Sequence, residues 1–142
     1  MNRRTMLKGA GAGVMLSAVL SATEAGAQAR QSGAVYELRV YHTYPGKLGD
    51  LLARFRDHTI TIFRRHGIES VAYWTPTDEP LAGRTLYYLL RHPSREAATA
   101  NWAAFHDDPE WKSVAAASEV NGKLTTSIDS VYMKLTDFSP KV

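Results

Sequence analysis

Glu37 and Arg39 stand two residues apart in a stretch dense in β-branched and aromatic residues, Val-Tyr-Glu-Leu-Arg-Val-Tyr-His-Thr-Tyr, from Val35 to Tyr44. Side chains alternate across a strand, so the two charges share one side with Tyr41 and Thr43, while Tyr36, Leu38, Val40 and His42 take the other. A pair of this kind on the wall of a cavity would hold an anionic or carbonyl-bearing ligand, with Arg39 as the charge-assisted donor. A structural ion pair that sets the register of a dimer is the plainer reading, and it is placed first.

The other titratable candidates are the five histidines, His42, His58, His66, His92 and His106. None forms a His-x-His or His-x-x-x-His pair, so no metal site is expected. His58 and His66 lie two helical turns apart, about 12 Å, and read as solvated or capping residues. His42 and His106 are the imidazoles to examine first, since such a group changes protonation near neutral pH. With no cysteine in the chain, disulfides, thiolate metal sites and cysteine nucleophiles are all excluded. No cofactor motif appears and none is expected. Trp102, Phe105 and Trp111 fall at helical spacing and read first as packing. Asp107 and Asp108 precede Pro109 and read as turn and cap residues, not catalysts.

These residues have to be positioned by a small number of elements. The first strand ends at Pro45-Gly46, and apolar residues from Leu48 to Phe63 then recur every three or four positions, predicting a long helix over 47–66 closed by Gly67. Ile68–Thr75 and Thr85–Arg91 read as strands separated by a turn-rich segment. Ser94 caps a helix that Asp107-Asp108-Pro109 breaks, and Pro109 suits the first turn of another through Ser118. Asn121-Gly122 makes a turn, and Val131, Met133 and Leu135 alternate in a last strand. The order β-α-β-β-α-α-β predicts an α+β, ferredoxin-like antiparallel sheet with helices on one face.

Such a sheet leaves its second face open. Large side chains expected there are Tyr41, Tyr73 or Trp74, Tyr87 or Tyr88, and Tyr132, more aromatic area than a solvated surface usually carries. A homodimer that buries this face is the expectation. The candidate ligand contacts are accordingly Arg39, Tyr41, His42, Tyr73, Trp74, Tyr88 and His106.

Ahead of the domain, Arg3-Arg4 and Lys8 precede a 12-residue apolar run, Gly9 to Leu20, and the small-residue pattern Ala25-Gly26-Ala27. Spanning a bilayer takes about 20 apolar residues, so the run reads as the core of a twin-arginine signal peptide over 1–27, with export to the periplasm or beyond and no stable membrane span after cleavage. Residues 28–34 then form a linker, 35–138 the domain and 139–142 a tail. The formal charge of +3 comes largely from this segment: Arg3, Arg4 and Lys8 account for three of 17 cations and Glu24 for one of 14 acids, leaving a net of +1 beyond it. Nucleic acid is therefore not an expected partner, since phosphate binding needs clustered cations.

The strand Tyr36-Glu37-Leu38-Arg39-Val40-Tyr41, the Pro45-Gly46-Lys47 turn into a helix, and above all Trp102-Ala103-Ala104-Phe105-His106-Asp107-Asp108-Pro109-Glu110-Trp111 resemble the NIPSNAP family over almost all of 35–138. That resemblance implies a dimeric α/β barrel, two sheets packed across a twofold axis. It supplies no settled catalytic residues. A homodimeric small-molecule-binding or interaction module is the first expectation. The alternative is a cofactor-independent oxygenase or isomerase acting on a small apolar or aromatic substrate. A pocket of several hundred Å³ faced by Arg39, Tyr41 or a histidine would favour the enzyme.

Overall fold

The computed structural model describes residues 33–142. The expected signal peptide, with Arg3 and Arg4, and most of the expected linker lie outside the described residues. Four strands make one antiparallel sheet: β1 Val35–Thr43, β2 Glu69–Trp74, β3 Thr85–His92 and β4 Thr125–Met133, in the order β2-β3-β1-β4. β1 and β2 are thus separated by β3, as the split β-α-β order predicts.

The connection from β1 to β2 is a helical rod in three parts, α1 Leu48–Arg54, a π-helical turn Phe55–Thr59 and α2 Ile60–Arg65. At the wider turn Thr59 Oγ1 donates to the Arg54 carbonyl at 3.2 Å. Periodicity forecast this rod as one uninterrupted helix. A single inserted turn changes the phase of the apolar stripe too little to register in a sequence. Gly67 closes the rod at a φ of +73°, a conformation that favours glycine.

After β3 come α3 Arg95–Asp107 and α4 Pro109–Ser118. Ser94 caps α3 by accepting from the Ala97 amide, and Asp108 caps α4 by accepting from the Glu110 amide, with Pro109 in the first turn. Both caps satisfy donors that a helix start leaves unpaired. β4 begins at Thr125 and ends at Met133, so Leu135 lies past its end. Its early half, Thr-Thr-Ser-Ile-Asp-Ser, is too polar to announce a strand, and pairing with β1 along Tyr36↔Met133 to His42↔Ser127 forms it.

The core lies between the sheet and the helices. Leu51, Phe55, Ile62, Phe63 and Phe105 from the helices pack on Tyr41, Leu86, Tyr88 and Leu90 from the strands. The covered face of β1 is therefore the one bearing Glu37, Arg39, Tyr41 and Thr43, opposite to the expected arrangement. Strand alternation gives the parity of a face, and here the parity with charges goes inward because those charges find partners there. Tyr41, Tyr73, Tyr88 and Tyr132 accordingly lie on the helix side, not on the open face. The open face instead carries Trp74, Tyr87, Leu38, Val40, Leu89, Val131 and Met133, with Trp74 paired to Tyr87 in register. A register shift between Ser70 and Ala72 sends Tyr73 inward and Trp74 outward. No helix of the described residues is long and apolar enough to cross a membrane.

Candidate functional site

β1 crosses the centre of the sheet, so its inward side chains meet α3 above them. The Glu37 carboxylate is fully buried, and each of its oxygens accepts two hydrogen bonds. Oε1 takes Arg39 Nη1 and Ser130 Oγ, both at 2.8 Å. Oε2 takes Trp102 Nε1 at 2.8 Å and His92 Nε2 at 2.9 Å. Burial works to raise the carboxyl, but the bonds from His92, Arg39, Trp102 and Ser130 outweigh it and bring the group down to about 2. The carboxylate is an anchor, ionised throughout the neutral range and closed to any external ligand.

Arg39 is fixed by that anchor. Beyond its bond to Glu37, its Nε donates to Tyr88 Oη at 2.9 Å and its Nη2 reaches Tyr41 Oη at 3.4 Å. Its guanidinium carbon lies 4.5 Å from the Trp102 ring centre and 5.5 Å from that of Tyr41. Burial opposes the Arg39 charge, yet the oxygens of Tyr88 and Tyr41 together with Glu37 raise it above the usual arginine range. All three nitrogens are committed within the protein.

The direction of the chain then follows from valence. Arg39 Nε can only donate, so Tyr88 Oη accepts, and the Tyr88 proton goes to Tyr41 Oη at 3.0 Å. Burial raises Tyr88 well above the ordinary phenol range, which keeps that proton in place. Tyr41 Oη accepts twice, and its own O–H has no acceptor among the described residues. Tyr41 is one wall of a cavity of about 240 Å³ under α3 and α4, lined also by Arg39, Arg54, Trp102, His106 and Trp111. The sequence Glu37, Arg39, Tyr88, Tyr41 is thus a chain of charge-assisted and polarised hydrogen bonds ending in a cavity-lining tyrosine whose O–H has no acceptor among the described residues.

Of the candidates named from the sequence, Arg39, Tyr41 and His106 meet at this cavity, with Tyr88 directly behind them. The His106 ring stacks on Trp102, centres 5.6 Å apart and planes at 20°. Tyr73 supports Tyr88 from below, ring centres 5.3 Å apart, and bonds Ser70 Oγ, but does not line the cavity. Trp74 and His42 go elsewhere. Trp74 is exposed on the open face, and His42 Nε2 lies 3.0 Å from Asp129. Asp108, besides capping α4, accepts from Arg65 and His66, each at 2.6 Å, and Arg65 first and His66 second hold it well below the usual carboxylate range.

Sequence reasoning did not single out Arg54, His92 or Ser130, and it read Trp102 as packing. For Trp102 and His92 the signal would have been the unmatched buried charge of Glu37, which needs donors from somewhere. Arg54 sat unnoticed in the polar stripe of a helix. Among the described residues no group of three or more His, Asp or Glu is placed to hold a metal ion.

Comparison with known families matches the NIPSNAP model over residues 36–140. Among solved structures, an uncharacterized NIPSNAP-like domain protein from Burkholderia xenovorans is 19% identical with a TM-score of 0.67, covering 78% of this chain and 92% of that one. A NIPSNAP family protein of unknown function from Agrobacterium tumefaciens is 23% identical with a TM-score of 0.66, covering 77% and 94%. A monooxygenase of Streptomyces coelicolor, solved with the ligand Nanaomycin D, is 18% identical with a TM-score of 0.53, covering 79% and 95%. No curated protein matches. At these identities the structural likeness establishes the fold alone.

Proposed function

The chain belongs to the NIPSNAP family, and from that premise we propose that its domain is a homodimeric small-molecule-binding module with one ligand per subunit, seated in the cavity of Arg39, Tyr41, Trp102 and His106. The single observation that carries this reading is the unspent Tyr41 O–H at the end of a buried relay. A fully packed structural network would close on itself. This one delivers a donor to a cavity of about 240 Å³, below the roughly 300–1,000 Å³ of pockets for drug-sized ligands. The ligand is accordingly a molecule of one or two rings, carrying an oxygen that accepts from Tyr41.

A titration with 2-naphthamide, whose carbonyl is a neutral acceptor, tests this directly. Binding should perturb Trp102 and Trp111 fluorescence, and Tyr41→Phe should weaken it by about 5- to 10-fold, the worth of one hydrogen bond. Binding that Tyr41→Phe leaves untouched refutes the assignment.

The homodimer rests on the open face, where Trp74 and Val131 are each about half exposed (51% and 52%) beside further apolar residues. We also propose export: Arg3→Lys with Arg4→Lys should leave the precursor in the cytoplasmic fraction, and undiminished export would reject a twin-arginine route.

The monooxygenase among the fold neighbours gives an enzymatic reading one specific support, since that enzyme is described with a bound small molecule. In a cofactor-independent oxygenation the substrate itself supplies the electrons: an activated CH₂ becomes C=O, while O₂ gives one atom to the product and the other to water. Tyr41 would stabilise the anion formed when the CH₂ loses a proton. Oxygen uptake with the bicyclic 1,3-indandione, whose CH₂ between two carbonyls would become the third C=O of a trione, abolished by Tyr41→Phe, is the result that would promote this reading above simple binding.

A further inference from the structure

Two guanidinium groups line the cavity, and they differ in what they have left to give. Arg39 engages each of its three nitrogens, on Glu37, Tyr88 and Tyr41, using three of its five N–H donors. Arg54 is 8% exposed, and its one hydrogen bond runs from Nη1 to Ser118 Oγ at 3.2 Å. Its Nε is buried with no partner. The nearest carboxylate, Glu119, lies 3.8 Å from Nη1 and is itself 36% exposed, a weak counter-ion. Burial accordingly pulls Arg54 below the usual arginine range, only partly opposed by Tyr41 and Glu119, whereas Arg39 moves the other way.

The position of Arg54 is built, not incidental. The π-helical turn begins at the next residue, and the Thr59 hydroxyl holds the Arg54 carbonyl. The guanidinium carbon stands 5.2 Å from the Trp111 ring centre. Arg54 also lines a second, wider groove of about 540 Å³ between α1 and α4. The residue therefore belongs to the lining of both the inner cavity and the outer groove. A buried arginine with free donors in a rigid fork matches a carboxylate, whose two oxygens accept in the same plane.

We infer that Arg54 is the anion-recognising residue of this cavity and that the ligand is a small aromatic carboxylate, its acid group on the open edge of Arg54 and its ring among Trp102, Phe105 and Trp111. This inference rests on the cavity being the ligand site. Longer substituents beside the acid group would run out into the outer groove.

Calorimetric titration of the full-length protein with 2-naphthoate and with neutral 2-naphthamide separates the two claims. The acid should bind wild type about 10- to 100-fold more tightly than the amide. Arg54→Gln should bring the two within about 3-fold of each other, by weakening the acid far more than the amide. Glu119→Gln, which keeps the size of this partly exposed cavity-lining side chain and removes its charge, should tighten the acid more than the amide by removing its competitor. Equal binding of acid and amide by wild type overturns the anion assignment and leaves the cavity reading standing; failure of both to bind overturns the two together. Discrimination that survives Arg54→Gln overturns the role of Arg54. Should that variant fail to fold, an acid affinity unmoved by Glu119→Gln overturns it instead.

Discussion

Replacing Glu37 by glutamine keeps the shape of the side chain and removes what the site uses it for. Each carboxylate oxygen accepts two bonds, Arg39 and Ser130 on one, Trp102 and His92 on the other. The amide turns one oxygen into an NH₂ that donates, so in either orientation two buried donors lose their acceptor. The charge state gives the magnitude: a fall from 4.5 to about 2, at about 1.4 kcal/mol per unit, is worth about 3 kcal/mol. That lies at the lower edge of the roughly 3–5 kcal/mol for breaking a buried ion pair. Because the folded group is depressed, this stability is fully present above pH 4.5 and is lost as pH falls toward 2. Glu37→Gln, which behaves like the protonated acid, should therefore be about 3 kcal/mol less stable than wild type at neutral pH, and the gap should close in that acid window. Urea unfolding followed by tryptophan fluorescence, at equal protein concentration from pH 7 down to about 2.5, reads it as a midpoint lowered by about 1–3 M at neutral pH. Other carboxylates, Asp108 included, titrate alike in both proteins and cancel. A difference that stays constant across the window, or one under about 1 kcal/mol at neutral pH, would show that the four bonds do not hold the carboxylate as described.

Three further outcomes can be checked with little effort. Phe63, 1% exposed and in ring contact with Phe55, Tyr88, Trp102 and Phe105, should cost about 3–5 kcal/mol on truncation to alanine, measured by urea unfolding. Asp108→Asn preserves a good helix cap and removes the attraction for Arg65 and His66, so its thermal midpoint should fall, and the gap should narrow toward about 1 M NaCl as salt screens the half-exposed Arg65 side of the pair. Val131→Lys places a charge on the open sheet face; sedimentation equilibrium should show a dimer weakened by about 10-fold or more with an unchanged far-UV spectrum, and a wild-type protein that stays monomeric at high concentration would remove the barrel altogether.

The order of elements was legible because each carries its own local signal: alternation in β1, three- and four-residue spacing in Leu48–Phe63, the Ser94 cap, and Pro109 in a first turn. So was the family, from the spacing of Trp102, Phe105, Pro109 and Trp111. What local signals do not encode is which parity of a strand turns inward. A rule that buries the greasier side sends Tyr36, Leu38, Val40 and His42 under the helices, or leaves the charged side open. Here Glu37 and Arg39 go inward because Trp102, His92 and Ser130, distant by 65, 55 and 93 residues, deliver donors to the same carboxylate. No window of sequence contains that coincidence. The π-helical turn and the pairing of polar β4 are of the same kind, fixed by neighbours rather than by propensity.

The same burial also separates two arginines that the sequence could not rank. Arg39 stood out because it sits in a patterned strand beside an acid, the very circumstance that engages each of its three nitrogens and makes it a positioning residue. Arg54 has Asp50 and Asp57 one helical turn away on either side, but its ion pair is with Glu119 alone and Asp50 pairs with Lys47, so it arrives in the interior with capacity unspent. A charge that meets a close partner inside the fold is neutralised before any ligand comes. One carried inward without such a partner depends on what binds there, and in this fold it stands beside the one tyrosine of the relay that still has a proton to give.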